Sequence, residues 1–564
     1  MKQPIRFLNK YAVYLTLFGA ISACGSDSDN DDVIDITAPN ILQVAPANEA
    51  LDVQFDDSLQ VIFDEDMLET SFDENAFELT SQGLDVLFDL SFDGQTRAAT
   101  IEPMAEFGPA RSYQASLKNS VTDLSGNPLS TEVNWSFTTQ EGEWQLPLLL
   151  SNPEGIYISY LHQLAENPQG QKAAVWGIYA PATESQEEIR EINASTYLPD
   201  TGWSDVTTLN TSAGSVSDPK IISLANNQFL TVWDQENNGQ YNLYSSHFTM
   251  DNGWSEAVLI TQFDNGNSYE HNLYLDQEGH ASIIWVLDEG SHQTHHIYSS
   301  AFDIQESSWS NPQVIEEHSD NISGLKFGQD DSGNILLAWY QIDDGAWGIY
   351  SKRFDATSNS GWLNSQPLDG SMQPRLVMNK HGQAIIGWYE DYERGADHNV
   401  IRVKHYNLAD DSWSEKQSVS SENENTNATG SPYLAISDNG LIVVAWSQEL
   451  DEEKRDIWSR SYKDGVWNTA VLIDNSGAGD SYLKDLVVDD LGNAMASWYM
   501  PVDDGKTNVF AARLNQDGWQ TPVALNDTTQ QDIGAGQPYL QVNDFGRISA
   551  MWRDGGQTWF AEFK

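Results

Sequence analysis

Short runs of alternating apolar and polar residues fill the chain from about residue 37 onward. VQFDDSLQVIFDEDM, ATIEP, GNILLAWYQ and GLIVVAWSQ are typical examples, bounded by Gly, Asn and Asp. A period of two, or a short β-branched and aromatic run between such turn residues, indicates a β-strand. Beyond the apolar segment near the start of the chain we find no helical period. The pattern therefore predicts an all-β protein.

One four-strand unit repeats through residues 141–564. A first strand and a turn ending in Gly lead to a second strand that ends in Trp. A variable loop, a third strand with Tyr or Phe, and a fourth strand that starts with Trp follow. The second-strand tryptophans are Trp176, Trp233, Trp285, Trp339, Trp388, Trp446, Trp498 and Trp552. The fourth-strand tryptophans are Trp144, Trp203, Trp254, Trp309, Trp362, Trp413, Trp467 and Trp519. Four strands in about 50 residues are typical of a β-propeller blade.

The two ends of the repeat region complement each other. The last unit has three strands and no fourth, whereas residues 144–150 form a fourth strand with no unit before it. Pairing them completes eight blades and leaves no bare sheet edge. We therefore predict an eight-bladed propeller over 141–564, closed by the 144–150 strand. A seven-bladed ring with one degenerate unit is the alternative.

Residues 37–140 carry a different strand pattern. TAPNILQVAPANEA, VIFDEDM, ATIEP, VTDLSGNPL and WSFTT follow one another in this order. This order resembles the bacterial Ig-like domain of S-layer and other surface proteins. The resemblance implies a β-sandwich that serves as a spacer or stalk, and it implies no catalytic residue.

The start of the chain resembles a bacterial lipoprotein. Three basic residues precede the apolar run YAVYLTLFGAISA, and Ile21-Ser22-Ala23-Cys24 is similar to a lipobox. The resemblance implies a signal peptide at 1–23, acylation (palmitate) of Cys24, and a flexible acidic tether over 24–36. Gly25 after the cysteine implies the outer membrane, with periplasmic or surface display left open.

The strongly negative charge of the chain limits the classes of partner that it can bind. The formal net charge is −56, and Cys24 is the single cysteine. A polyanionic nucleic acid or anionic lipid surface would be repelled, so we expect no nucleic-acid partner and membrane contact through the lipid alone. Acylation of Cys24 would leave no thiol for a disulfide. The acidic loops allow calcium, and no other cofactor is indicated. The oligomeric state is not specified.

The turns and loops of the repeats differ in kind. Third-to-fourth-strand turns such as MDNGW and NQDGW loosely resemble the Asp-box turns of sialidase-like propellers, which are structural in that family. First-to-second-strand turns are uniform. The second-to-third-strand loops vary in length and content, and variable loops carry function on a constant scaffold. We therefore expect a ligand at the face formed by these loops, although a solvated acidic rim would give the same pattern.

The candidate binding residues are tryptophans. Their periodicity favours packing between blades, and the functional alternative is stacking on sugar rings at the rim. The candidates are Trp233, Trp285, Trp339, Trp388, Trp446 and Trp498. A transition-metal site at His292, His295 and His296 is a further alternative. No residue pattern specifies catalysis. We expect a binding module that recognises a glycan or another extracellular ligand. A scaffold for envelope proteins is the first alternative, and a glycoside hydrolase or polysaccharide lyase is the second.

Overall fold

In a computed structural model the chain forms two compact units of β-structure. The first extends to residue 141 and the second covers residues 142–564. The described residues are 35–151, 158–182, 188–210, 214–261, 263, 266–275, 279–289, 295–318, 321–343, 346–356, 361–370, 374–391, 398–422, 426–450, 454–474, 479–502, 506–526 and 535–564. The predicted signal peptide, Cys24 and the tether up to residue 34 lie outside them.

Strands dominate the described residues, which confirms the all-β prediction. Their only helical elements are two short 3₁₀ turns, Glu69–Ser71 and Ala225–Asn227. Within these residues no helix has the length and apolar character that a membrane crossing requires.

The first unit has two sheets. One contains, in spatial order, Ile41–Ala45, Leu59–Phe63, Ala98–Pro103 and Phe88–Asp93. The other contains Ala50–Val53, Val133–Thr139, Ser112–Leu117, Phe77–Ser81 and Leu84–Asp85. Alternate residues of these strands, including Val61, Leu79 and Phe137, are buried, as expected of a β-sandwich.

The described residues of the second unit form eight antiparallel sheets, numbered 1 to 8 in chain order by their inner strands. The inner strands are Ile158–Glu166, Val216–Leu224, Asn267–Leu275, Ile322–Gln329, Arg375–Met378, Tyr433–Ile436 (preceded by Thr426–Ala428), Tyr482–Val488 and Gly536–Val542. The second strands are Lys172–Ala180, Gln228–Asn237, Ala281–Asp288, Ile335–Asp343, Ala384–Asp391, Ile442–Leu450, Ala494–Val502 and Ile548–Asp554. The third strands are Ile189–Leu198, Gln240–Thr249, His295–Asp303, Ala346–Asp355, Asn399–Asn407, Lys454–Lys463, Lys506–Asn515 and Gln557–Phe563.

The fourth strand of sheets 1 to 7 is interrupted and pairs with the third strand in two short pieces. These pieces are Gly202–Trp203 with Thr207–Thr208, Gly253–Trp254 with Val258–Leu259, Ser308–Trp309 with Gln313–His318, Gly361–Trp362 with Gln366–Leu368, Ser412–Trp413 with Gln417–Ser418, Val466–Trp467 with Val471–Leu472, and Gly518–Trp519 with Val523–Ala524. In sheet 8 the outermost strand is Leu148–Ser151, which pairs with Gln557–Phe563. Sheet 8 therefore joins the beginning of the unit to its end.

The inner strands surround one axis. Each inner strand contacts that of the next sheet, and the inner strand of sheet 8 contacts that of sheet 1. This closed order is the arrangement of a β-propeller, with the channel at the axis. At one end of the channel lie the turns between first and second strands. In the turn of sheet 5, Asn379 Oδ1 accepts hydrogen bonds from the amides of His381 and Gln383, and Gly382 has φ 79°. This local geometry explains the uniform sequence of these turns.

Candidate functional site

The inner strands, which form the channel wall, carry a β-bulge in most sheets. Sheets 1, 2, 3, 4, 7 and 8 have a register shift between the inner and second strands. In five of them a residue beside the shift has positive φ, and these residues are Leu161, Asp218, Glu270, Gly324 and Gln537. A β-bulge turns the side chains that follow it, and a left-handed non-glycine residue costs about 1–3 kcal/mol. Such positions occur most often at functional sites.

Four cations on the inner strands are linked by electrostatic interactions, and we call them the cation cluster: Lys220, Lys326, Arg375 and Lys484. Each lies on a different inner strand, of sheets 2, 4, 5 and 7. Lys326 interacts electrostatically with both Lys220 and Arg375, and Lys484 interacts with Arg375. Sheets 2 and 4 are not neighbours, and neither are sheets 5 and 7. Their inner strands approach each other only across the axis, so the cluster lies in the channel.

The cation cluster is only partly neutralised. Lys220 Nζ lies 2.6 Å from Asp218 Oδ1. Within the described part of the chain, no carboxylate forms an ion pair with Lys326, Arg375 or Lys484. Burial, followed by the charge of Arg375, lowers the pKa of both Lys326 and Lys484. In a chain of net charge −56, three cations outside any ion pair are a local excess of positive charge, although the charges of Glu270 and Asp218 act on Lys326 and that of Asp485 acts on Arg375.

Tyrosine rings lie against these cations. The guanidinium of Arg375 is 5.1 Å from the ring centroid of Tyr433, and Lys484 Nζ is 5.2 Å from that of Tyr499. Tyr499 stacks on Tyr482 with centroids 5.0 Å apart, and Arg455 lies over Tyr482 at 4.7 Å. Cation–π contacts hold the charged groups in place without neutralising them. The wall therefore combines fixed positive charge with aromatic surface.

A partly buried carboxyl group, that of Asp485, lies in the same part of the wall. Asp485, beside Lys484, accepts hydrogen bonds from the amides of Leu486 and Leu540, at 2.9 and 2.8 Å. Burial raises the pKa of Asp485 to about 6, against the lowering effect of these two hydrogen bonds. The second bond crosses from sheet 7 to sheet 8, so Asp485 ties two inner strands together.

At the end of the channel where the first-to-second-strand turns lie, negative charge predominates. The second residue of the first-to-second-strand turn is an aspartate in sheets 4, 6, 7 and 8: Asp331, Asp438, Asp490 and Asp544. In sheet 5 it is Lys380, whose Nζ lies 2.8 Å from Asp544 Oδ1 and 3.6 Å from Asp438 Oδ2. A cavity of about 230 Å³ lies among these turns. Lys326 and Arg375 precede their turn residues by five positions, about 16 Å of extended strand.

The six tryptophans proposed as binding residues lie in the interior. The side chains of Trp233, Trp285, Trp339, Trp388, Trp446 and Trp498 are 0–1 % exposed. Each packs against apolar residues of its own and a neighbouring sheet, as Trp498 does with Ala435 and Leu483. No indole face at these positions is open to a ligand, which is a correction to the binding role proposed from the sequence. We call these residues and their equivalents in the other sheets the packing layer.

Trp347 is an exposed tryptophan that was not among the binding residues predicted from the sequence. It lies in the hairpin between the second and third strands of sheet 4, at the variable-loop face, and is 38 % exposed. Its ring stacks on Tyr340 with centroids 4.2 Å apart and an interplanar angle of 11°. Trp347 belongs to neither periodic tryptophan series. Trp458 and Trp559 also lie outside both series but on third strands, so the signal was the position of Trp347 at a variable loop.

Two histidine arrangements lack the geometry of an open catalytic or metal site as far as their described residues show. Ser159 Oγ lies 2.7 Å from His162 Nε2, but both residues are buried and burial lowers the pKa of His162 to about 3. His292 lies outside the described residues. His295 and His296 are consecutive on a strand, so their side chains point to opposite faces of the sheet.

The fold and the channel define an all-β protein with an Ig-like domain and a propeller. Residues 35–139 match the family model of the bacterial Ig-like domain Big_5. No curated protein matches the chain.

Several solved structures are similar in fold. The Dos1 propeller has a TM-score of 0.43 and 9% identity, covering 74% of this chain and 94% of that chain. Polysaccharide lyase Uly1 has a TM-score of 0.38 and 11% identity, covering 69% and 87%. The NanB sialidase from Streptococcus pneumoniae has a TM-score of 0.30 and 12% identity, covering 90% and 93%.

Proposed function

We propose that the propeller is a binding module for a glycan that carries carboxylate or sulfate groups, and that the ligand reaches the channel from the variable-loop face. The cation cluster is the observation that supports this proposal most directly. Lys326, Arg375 and Lys484 converge from three sheets without paired carboxylates, although acidic residues outnumber basic ones three to one. Arginine and lysine bind carboxylate and sulfate groups by charge-assisted hydrogen bonds.

Exposed aromatic residues at the variable-loop face favour a sugar as the ligand over a simple anion. Trp347 and Tyr340 form an exposed stack at the face where the loops vary. A large, flat, amphipathic ring suits the apolar face of a sugar while its edge remains in water. The net charge of −56 opposes binding of a long polyanion such as nucleic acid, so the cluster favours a ligand whose charges enter the channel locally.

A glycan-cleaving enzyme is the second candidate function. The lowered pKa values of Lys326 and Lys484 increase the share of neutral amine at a given pH, and a neutral amine can accept a proton. Groups with shifted pKa values in a channel are typical of active sites. Shortening of the oligosaccharide after incubation with the protein would favour the enzyme over the binding module.

The proposal includes the position of the protein in the cell. Acylation of Cys24 would anchor the chain to the outer membrane, and the Ig-like domain would act as a spacer for the propeller. Metabolic labelling with an alkyne fatty acid tests this directly. We expect the full-length chain to be labelled and Cys24→Ser to lose the label, whereas equal labelling of both would exclude the anchor.

The binding proposal is tested with the chain from Gly25 to Lys564, which contains all described residues. Calorimetric titration would compare uronate and sulfated oligosaccharides with their methyl-esterified or desulfated counterparts. We expect binding of the charged forms only, weakened when NaCl is raised from about 50 to 500 mM because salt screens the interaction. Equal binding of the neutral forms would contradict the role of the cluster.

Variants locate the site in the channel. Arg375→Met should weaken binding by about ten- to a hundredfold, the effect of losing one charged hydrogen bond. Lys463→Met is the matched control, because Lys463 is exposed at the end of a third strand. If no acidic or neutral glycan binds, the scaffold alternative gains, and purified envelope proteins become the ligands to test.

A further inference from the structure

Three potential metal ligands lie together between sheets 2 and 3, outside the cation cluster. Asp218 is the left-handed residue of the inner strand of sheet 2, and Asp234 lies on the adjacent second strand. His271 directly follows the left-handed Glu270 of sheet 3. One oxygen from each carboxylate and one imidazole nitrogen all lie within 4.8 Å of one another. The two bulges therefore direct side chains from neighbouring sheets to one point.

Asp234 and His271 are buried, Asp218 is partly buried, and some of the polar atoms of the two buried residues lack hydrogen-bond partners. Asp234 is 6% exposed and His271 is 1% exposed. Among the described residues, Asp234 Oδ1 and both ring nitrogens of His271 have no hydrogen-bond partner. Nδ1 of His271 lies 3.2 Å from Oδ1 of Asp234, an ion pair when the imidazole is protonated, and Nε2 of His271 has no polar partner among the described residues. Unpartnered polar groups inside a protein are costly, so these atoms indicate an interaction with a ligand.

The spacing suits a metal ion. Two ligand atoms about 2.1 Å from a tetrahedral zinc ion lie about 3.4 Å apart, close to the 3.2 Å between Nδ1 of His271 and Oδ1 of Asp234. Imidazole favours zinc over calcium, and carboxylates complete such sites. We propose that Asp218, Asp234 and His271 bind one Zn²⁺ ion. This site differs from the calcium expected in the acidic loops and from the histidine cluster suggested by the sequence.

Lys220 connects this site to the channel. Its Nζ lies 2.6 Å from Asp218 Oδ1, so the ammonium group and the metal compete for the same carboxylate. Ser217 Oγ lies 3.4 Å from the other oxygen of Asp234 and leaves Oδ1 available. Metal binding releases Lys220 from Asp218 and leaves the Lys220 charge in the cation cluster without its paired carboxylate. Removal of the Lys220 charge should consequently tighten metal binding.

The experiment measures zinc binding to the chain from Gly25 to Lys564, produced without a polyhistidine tag and stripped with a chelator. Calorimetric titration with ZnCl₂ needs no glycan, so its result is independent of the proposed function. We expect about one equivalent of zinc at micromolar affinity or tighter. His271→Gln should weaken binding at least tenfold, and Lys220→Met should strengthen it severalfold.

His247→Gln is the matched control, because His247 lies on the same propeller and bonds to Gln228 rather than to a carboxylate. The control should retain wild-type affinity. An equal loss in His247→Gln and His271→Gln, or no loss in either, would overturn the proposal. Should His271→Gln fail to fold by circular dichroism, an unchanged or weakened affinity of Lys220→Met would overturn it instead. Displacement of zinc by an equal concentration of calcium would also overturn it, since oxygen ligands alone would then dominate.

Discussion

The packing layer and the channel wall are built from the same repeats but use them in opposite ways. The packing layer places Trp at the same position in all eight sheets, and every one of these side chains is buried. In each sheet one inner-strand residue pairs with the residue that precedes the Trp, and its type varies from sheet to sheet. These inner-strand residues are Gln163, Lys220, Asn272, Lys326, Arg375, Tyr433, Asp485 and Tyr539. Repetition specifies the fold, and departure from repetition brings chemistry to the axis.

The packing layer should respond most strongly to mutation. Trp498→Ala should lower the free energy of unfolding by about 3–5 kcal/mol, because it leaves a large cavity between sheets 6 and 7. Urea denaturation followed by circular dichroism measures this loss. Trp347→Ala, on the exposed stack, is the control and should change stability by less than about 0.5 kcal/mol. Equal losses in the two variants would remove the distinction between buried and exposed tryptophans.

The exposed stack of Trp347 on Tyr340 should contribute to ligand binding and not to the stability of the fold. Trp347→Ala should weaken binding of an acidic oligosaccharide by about tenfold, the effect of losing one aromatic contact. Calorimetric titration against the wild-type chain measures the change, and Trp347→Phe should recover most of it. An affinity unaltered by Trp347→Ala would place the sugar elsewhere on the face.

The channel wall should give the protein a pH-dependent stability through Asp485. Its pKa is raised to about 6 from 3.8, so the folded protein keeps the proton of Asp485 to a higher pH than the unfolded chain does. The stability of the fold is therefore unaffected by this group below about pH 4 and falls as the pH rises from 4 through 6. Between pH 5 and pH 8 this group should cost the wild-type chain about 1 kcal/mol relative to D485N. Urea denaturation of both proteins at the two pH values gives the difference. A constant difference would show that Asp485 ionises normally.

The turn end of the channel should respond least. Lys380→Met should change stability by less than about 1 kcal/mol, because its ion pairs with Asp544 and Asp438 are partly exposed. It should also leave the affinity for an acidic glycan within about twofold, because the cation cluster lies some 16 Å away along the strands. Thermal denaturation and the same titration measure the two effects. A large loss of affinity would move the binding site to the turn end.

The sequence predicted the fold because the fold depends on repeated residues. Strand periodicity and the regular spacing of Trp339, Trp388 and their equivalents identify the propeller, and the TDLSGNPL turn helps to identify the Ig-like domain. The channel site could not be predicted in the same way. Lys326 and Arg375 lie 49 residues apart on separate sheets, and each appears as a single ordinary cation in its own repeat. Their proximity results from the packing of the inner strands of sheets 4 and 5 against each other and from the bulge in sheet 4, neither of which a residue pattern indicates.

The pairing of Leu148–Ser151 with Gln557–Phe563 has a consequence for biosynthesis. The two strands are separated by more than 400 residues, so the first strand must wait through the translation of seven complete sheets before its partner exists. Contacts of such long range form slowly, and an unpaired strand edge invites wrong pairing during that delay. The nascent chain would therefore be most vulnerable at its earliest propeller strand, where a chaperone would have the longest time to act.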